Sequence, residues 1–475
     1  MHPSTPTYSV IADQRGFSLV ELMIAMTISL VMTGALVAIF VNSSNASREM
    51  AKANAMVDNG RLIIQLLEQD IQHAGYWGGY VPQFDDLTAS VVPGDVPTAI
   101  PNPCQAYAAW DTNYVNGLIG IPLQTDVTLP AGTGCLGALT QLAGTDILVV
   151  RHAEVCVTGA ANCNTDVAGA LNLQVSTCAA EQNAGSVWTT VNAATNTVTL
   201  ASSASSVNGA YVGMMIHTTS GTGAGQYRQI SAYNGSTRVA TVSTPWTYGL
   251  DSTTTYAFPY MLGTSSYPLN QRNCVGTGTP PTLPLSSGTA ADKRKFISNL
   301  YYVANYPNPD DATQLVPTLV RSQFDLAGGT LAQQAPVPLI DGVEAFKVVL
   351  GIDNVSKSGA AVDYTQAIIW ADPNNLVLPT NRGDGAPDQY VRCTTATPCT
   401  ATTLLNVVAA KIYLLMRDRD ITRGFTDTKT YCIGEPNPDG TCPTANQYTP
   451  NDNYKRHLFV TGIRLVNVSG RRETP

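Results

Sequence analysis

Proline is missing from residues 17 to 75, and charge is scarce throughout: only 13% of the 475 residues are Asp, Glu, Lys or Arg. With no proline to remove a ladder hydrogen bond, one helix can run through that whole stretch. So little charge is unusual for a cytosolic protein. The net charge of −8 argues against broad binding to nucleic acid, although it leaves room for a local basic patch. No C-x-x-C occurs and no Cys/His spacing suits zinc. G-x-S-x-G is absent, which removes the nucleophile elbow. Gly221-Thr222-Gly223-Ala224-Gly225 lacks G-x-G-x-x-G spacing and precedes a hairpin pattern, so it reads as a turn. The five histidines (His2, His73, His152, His217, His457) are scattered. His152 and Glu154 share a face of a predicted strand, with no nucleophile motif beside them. The acidic loops Asp310-Asp311 and Asp384 to Asp388 match no full EF-type loop and read as solvated turns. Enzyme activity, cofactor and metal are therefore not expected.

What is present begins at Arg15-Gly16-Phe17-Ser18-Leu19-Val20-Glu21, followed by an apolar run to Val41. Twenty-five residues from Phe17 span about 38 Å as a helix, enough to cross a bilayer core of about 30 Å. A carboxylate inside such a segment is expensive and persists where a partner neutralises it. Cleavage between Gly16 and Phe17 would create that partner, an α-amino group at the helix start. At an effective dielectric of 20 the two charges attract by about 4 kcal/mol at 4 Å, and desolvation removes much of it. A secretory signal would place its cleavage site after the apolar core; here the site precedes it. The plain alternative is an N-terminal anchor with Glu21 snorkelling to the interface.

Beyond the apolar run, Met50, Ala53, Val57, Gly60, Ile64, Leu67, Ile71 and Ala74 alternate spacings of three and four, one apolar stripe on a helix. Between them stand Arg48, Lys52, Asp58, Arg61, Glu68 and Asp70. Gly75 is a natural stop. The rest reads mostly as β, with strands expected at 146–153, 299–304, 318–324, 343–352, 406–417 and 458–468. The ten cysteines all follow the stem and imply a disulfide framework in an oxidising compartment. Connectivity cannot be deduced from sequence. Proximity favours Cys393–Cys399 and Cys432–Cys442, then Cys104–Cys135 and Cys156–Cys163, leaving Cys178 and Cys274 to pair.

Gly16, Phe17 and Glu21 together resemble the type IV prepilin signature. Gly75-Tyr76-Trp77-Gly78, Thr145 to Arg151, Leu339 to Asp353, Ala409 to Arg419 and Arg456 to Val468 resemble, in order, the head of PilW-type minor pilins. The resemblance covers residues 10–155 and 294–472. It implies an α+β fold, a long N-terminal helix packed on an antiparallel β head. Many major pilins break the stem with Gly and a nearby Pro; here Gly34 is present, but Ala38 stands four residues on. Residues 186–258 differ in texture and look like a small all-β module of phage-tail and surface proteins, flanked by Cys178 and Cys274. The expected organisation is a leader at 1–16, an apolar helix at 17–41, an amphipathic helix at 42–75, head at 76–180, inserted module at 181–274, and head at 275–475.

The resemblance implies an inner-membrane prepilin cut after Gly16, methylated at Phe17 and docked through Glu21. It would enter the extracellular pilus as a minor subunit that primes assembly and sits at the tip. Its partners would be prepilin peptidase, other minor pilins, the major pilin and a large tip adhesin. A type II secretion pseudopilin shares the stem signature with a smaller head. A tip adhesin using the module could coexist with the assembly role, and an anchored periplasmic enzyme lacks a constellation. Arg382-Gly383-Asp384 is expected as an exposed turn. The basic C-terminal residues Lys455, Arg456, Arg464, Arg471 and Arg472 fit a solvated sheet edge or exposed groups of a DNA-uptake pilus.

Overall fold

The computed structural model describes residues 16, 18–128, 139–274, 288–308 and 313–473. His2, Phe17, Cys135, Asp310 and Asp311 lie outside these residues. The chain divides into two units, Met1–Ala55 and Met56–Pro475.

In the first unit the residues from Leu19 onward are helical. Helix α1, Leu19–His73, is 55 residues long, about 83 Å. It is apolar and long enough to cross a membrane, and Leu19 to Val41 is exposed throughout. Its few hydroxyls turn back on their own helix. Thr27 donates to the Ile24 carbonyl at 2.8 Å, Ser29 to Ala25 at 2.7 Å and Thr33 to Ser29 at 2.7 Å. No polar side chain among these is left to be solvated by hydrocarbon.

In the second unit α1 buries Met56, Gly60, Ile63, Leu67 and Ile71. The predicted stripe named Val57 and Ile64 instead; both are only half-buried. Three-and-four spacing fixes a face about a third of the helix wide, and packing chose its other margin. Gly60 packs against Phe459: a Cβ there would lie 2.2 Å from the ring, which would have to move.

Two antiparallel sheets build the head. The larger contains β1 (Leu123–Asp126), β2 (Ile147–Ala153), β3 (Asn172–Val175), β10 (Tyr260–Gly263), β11 (Lys293–Pro307), β12 (Leu315–Ala327), β13 (Thr330–Gln333) and β14 (Val337–Asp341). Its main order is β1-β2-β11-β12-β13, with β14 on β12 and β3 joining β10 to β11. The smaller runs β16 (Gln389–Val391), β15 (Val343–Ile352), β17 (Val407–Arg417), β20 (Arg456–Arg464). Gly342 alone separates β14 from β15, at φ +83°, and a Cβ there would meet the Arg417 carbonyl at 2.6 Å. That left-handed residue carries the chain from one sheet to the other. One core joins the helix to both sheets, with Ile63, Leu67 and Ile71 beside Leu148, Tyr301, Phe346, Leu350 and Leu414. The strand expected over 458–468 stops at Arg464; Leu465 turns inward, fully buried, and a short final helix, Val466–Arg472, follows.

A third sheet, of six strands, is inserted. Its order is β4 (Gly185–Ser186), β9 (Thr255–Ala257), β6 (Met215–Ser220), β7 (Tyr227–Asn234), β8 (Val239–Val242), β5 (Thr197–Thr199). It has its own core, around Tyr211, Ile230, Trp246, Tyr256 and Phe258. The module was expected over 181–274, yet Tyr260–Gly263 within that range pairs with β3 in the head. Tyr260 and Leu262 are buried with Leu173 and Phe296 of the larger sheet, while Met261 between them packs into the module's core. The chain leaves and re-enters the head at one point: the Ser176 amide donates to the Pro259 carbonyl at 3.0 Å. The Cys178–Cys274 disulfide closes the same neck. A two-stranded ribbon, β18 (Tyr431–Cys432) with β19 (Gln447–Tyr448), completes the described strands.

Candidate processing and docking site

Ser18 is the N-cap of α1. Its Oγ accepts the Val20 amide at 3.2 Å, and its carbonyl accepts the Leu22 amide at 3.0 Å. The Ser18 amide in turn donates to Glu21 Oε2 at 3.1 Å. Glu21 is thus the acidic half of a capping pair and also sits at the positive end of the helix dipole. The Ser-x-x-Glu spacing that signals such a pair is legible in the sequence. One carboxylate oxygen holds the first turn, and the side chain remains able to meet a cation. Gly16 is exposed, and nothing lies within 4 Å of a Cβ built on it. A side chain at Gly16 would meet nothing of this chain.

A second polar cluster sits where α1 meets the larger sheet. Asp70, expected only as a polar residue between apolar ones, accepts from Tyr301 Oη at 2.8 Å and from Asn299 Nδ2 at 3.0 Å. His152 Nε2 lies 3.0 Å from its Oδ1. Burial works against the imidazolium, but the Asp70 carboxylate outweighs it and raises the His152 pKa above its usual value. These groups line a groove of about 530 Å³ with His73, Glu154 and Cys156. Cys156 is bonded to Cys163, so its sulfur is no nucleophile. The cluster pins helix to sheet. Sequence could not announce it, because its members are 82 and more residues apart.

Of the basic C-terminal residues, Arg456, Arg471 and Arg472 are not a solvated edge. Arg472 is 2% exposed and reaches Asp85 at 2.9 Å, Asp353 at 3.4 Å and the Leu405 carbonyl at 2.9 Å. Burial disfavours its charge, but Asp85 and the groups around it hold the guanidinium firmly protonated. Arg471 also binds Asp85, at 2.9 Å. Arg456 is buried against Glu344, Asp427 and Asp452. Arg464, exposed, pairs with Glu473. Lys455 lies over the Phe425 ring. Arg382 corrects the expected exposed turn: it is 3% exposed, donating to the Asp363 and Gln366 carbonyls over the Tyr364 ring. The tripeptide's arginine is a core residue. In the acidic loop, Asp388 accepts the amides of Asn354 and Val355, both at 2.8 Å.

The remaining disulfides are Cys393–Cys399 and Cys432–Cys442. Cys104 is also disulfide-bonded. Among the described residues no cysteine is free, and no cluster of His, Cys, Asp and Glu suits a metal. Gly221 to Gly225 forms the turn between β6 and β7.

Two family models match the chain. The prokaryotic N-terminal methylation motif covers residues 11–37, and the type IV pilus-assembly protein W model covers residues 300–467. No curated relative matches. Among solved structures, a type IV-like pilin from Thermus thermophilus is 16% identical over 37% of this chain and 70% of its own, with a TM-score of 0.19. The W-family match runs from β11 into the final helix, the segments that gather the stem-bearing core, and the methylation motif falls on the turn that Ser18 and Glu21 cap. The two family matches and the long apolar helix support a PilW-like minor type IV pilin with a prepilin N-terminus, held in the inner membrane before it enters the pilus.

Proposed function

We propose that this pilin is cut by prepilin peptidase after Gly16, methylated on Phe17, and docked through Glu21 into a complex of minor pilins that primes assembly and remains at the pilus tip. The observation that carries this is the Glu21 carboxylate, fixed in the first turn by the Ser18 amide at 3.1 Å, where the apolar run begins. A neighbouring or intramolecular Phe17 amine is the natural countercharge in hydrocarbon. The inserted six-stranded sheet argues for the tip: repeated at every shaft position, such bulk would clash with its neighbours. A large tip adhesin and the major pilin are the further partners this position implies. The role is assembly and display, without catalysis.

Glu21→Gln separates the two jobs of the side chain, because glutamine also serves in a capping box. The variant should be made, capped and cleaved normally, while surface pili fall at least tenfold by electron microscopy. Mass spectrometry of the mature N-terminus should find a methylated Phe17. An intact Met1, or full piliation in the Glu21→Gln variant, would overturn the reading. Gold-labelled antibody to the inserted module should decorate filament ends; labelling along the shaft would remove the tip position.

A further inference from the structure

A cavity of about 500 Å³ lies where the inserted module meets the segment after the stem, within the range of small-molecule sites. Its walls come from residues 79–91, from the neck at Thr177 and Gln182, and from His217, Thr219 and Tyr227 of β6 and β7. The segment is held in place. Buried Asp95 accepts the amides of Gln83 at 2.7 Å and Phe84 at 3.3 Å. Gly94 lies so close to the Gly225 carbonyl that a Cβ would be 1.5 Å from it.

The lining selects a ligand class. No lysine or arginine contributes, so phosphate and carboxylate ligands find no countercharge. Hydroxyl-bearing residues are abundant in the lining, Tyr80, Thr88, Ser90, Thr219 and Tyr227, with one carboxylate, Asp86, that accepts from the Thr88 hydroxyl at 2.6 Å. His217 stacks on Tyr227, centroids 4.1 Å apart and 12° from parallel. Its Nε2 is buried without a hydrogen-bond partner. Burial pushes the imidazole down to about 4, so at neutral pH it is an uncharged donor and acceptor. An unmet ring nitrogen is one that a ligand hydroxyl would satisfy. Aromatic faces beside many small hydroxyls suit a molecule with C–H faces and O–H edges.

We propose that this cavity binds one neutral saccharide residue. The test uses the full chain in a detergent without a sugar headgroup, so it is independent of where the subunit sits in a pilus. Saturation-transfer NMR would be run with glucose, galactose, N-acetylglucosamine and choline. Transfer to at least one sugar is expected. Ala89→Trp, which fills the cavity, should abolish it, and His217→Phe, which keeps the ring stack but removes Nε2, should weaken it about tenfold. Near-UV circular dichroism identifies any variant that misfolds, in which case the other variant decides. No sugar transfer to the folded chain, transfer untouched by both variants, or transfer to choline alone would overturn the proposal.

Discussion

Arg472 shows what one buried side chain can hold. It joins the last helix to Asp85 from the segment after the stem and to Asp353 at the end of β15. Arg472→Met would leave those two carboxylates, 2% and 0% exposed, short of their main cation. Breaking a buried pair from one side costs about 3–5 kcal/mol. Because Arg471 still reaches Asp85, the lower end is expected, read as a fall in the midpoint of urea unfolding. Two other residues set a pH dependence of the same sign. His152 has its pKa raised, so the Asp70 pair stabilises fully below about pH 6.5 and the gain is lost as pH rises through the folded value. Burial raises Asp95 to about 7. Between about pH 4 and 7 the fold keeps a proton there that the unfolded chain has released, so stability again falls as pH rises. His217, pushed down to about 4, acts the other way below about pH 6.5. Asp95→Asn should therefore be read against the parent chain, its urea midpoint falling less between about pH 5 and 7. The net decline is expected from about pH 6.5 to pH 8. A midpoint that rises over this range would contradict both assignments.

At the scale of elements, the neck disulfide and the stem segment carry different loads. Cys178 and Cys274 are 96 residues apart in sequence. Closing a loop of that length restricts the unfolded chain by about 4–5 kcal/mol. Replacing both with serine should lower the thermal midpoint and open residues 178–274 to protease before the remainder. The elements themselves were unevenly legible. The stem announced itself because one environment, hydrocarbon, demands a long apolar run. The strands of the second half were legible because β11, β12, β15 and β17 are long and mostly buried. The module's strands were read as a texture, since several hold only two to four residues and alternation cannot be established over so few. What stayed hidden was long-range. Asp70 and Arg472 look like surface residues until the fold covers them, and sequence carries no sign of partners that lie as far as 231 and 387 positions away.

For the whole molecule, the test is excision. Joining Ser176 to Pro259 through a two-residue turn, with Cys274→Ser, should leave a β3–β10 hairpin and a folded head. The module's Met215 and Tyr227 pack with Trp77, Tyr80 and Phe296, so the shortened head will be less stable and stickier. The expected result is retained piliation with loss of sugar binding. If pili vanish although the trimmed subunit is stable in the membrane, the module takes part in assembly itself.

The hydrogen bond between Ser176 and Pro259 sets the exit and the return of the polypeptide side by side. Because the polypeptide departs and returns through neighbouring strands, the head offers a socket whose β3–β10 pairing does not depend on what is plugged into it, provided the cargo also covers Trp77, Tyr80 and Phe296 as Met215 and Tyr227 do. Cargo of another sequence, length or ligand preference can occupy that socket while the stem, the capped first turn and the paired sheets go on meeting the assembly machinery unchanged. Such a subunit separates the evolution of what a filament touches from the evolution of how it is built.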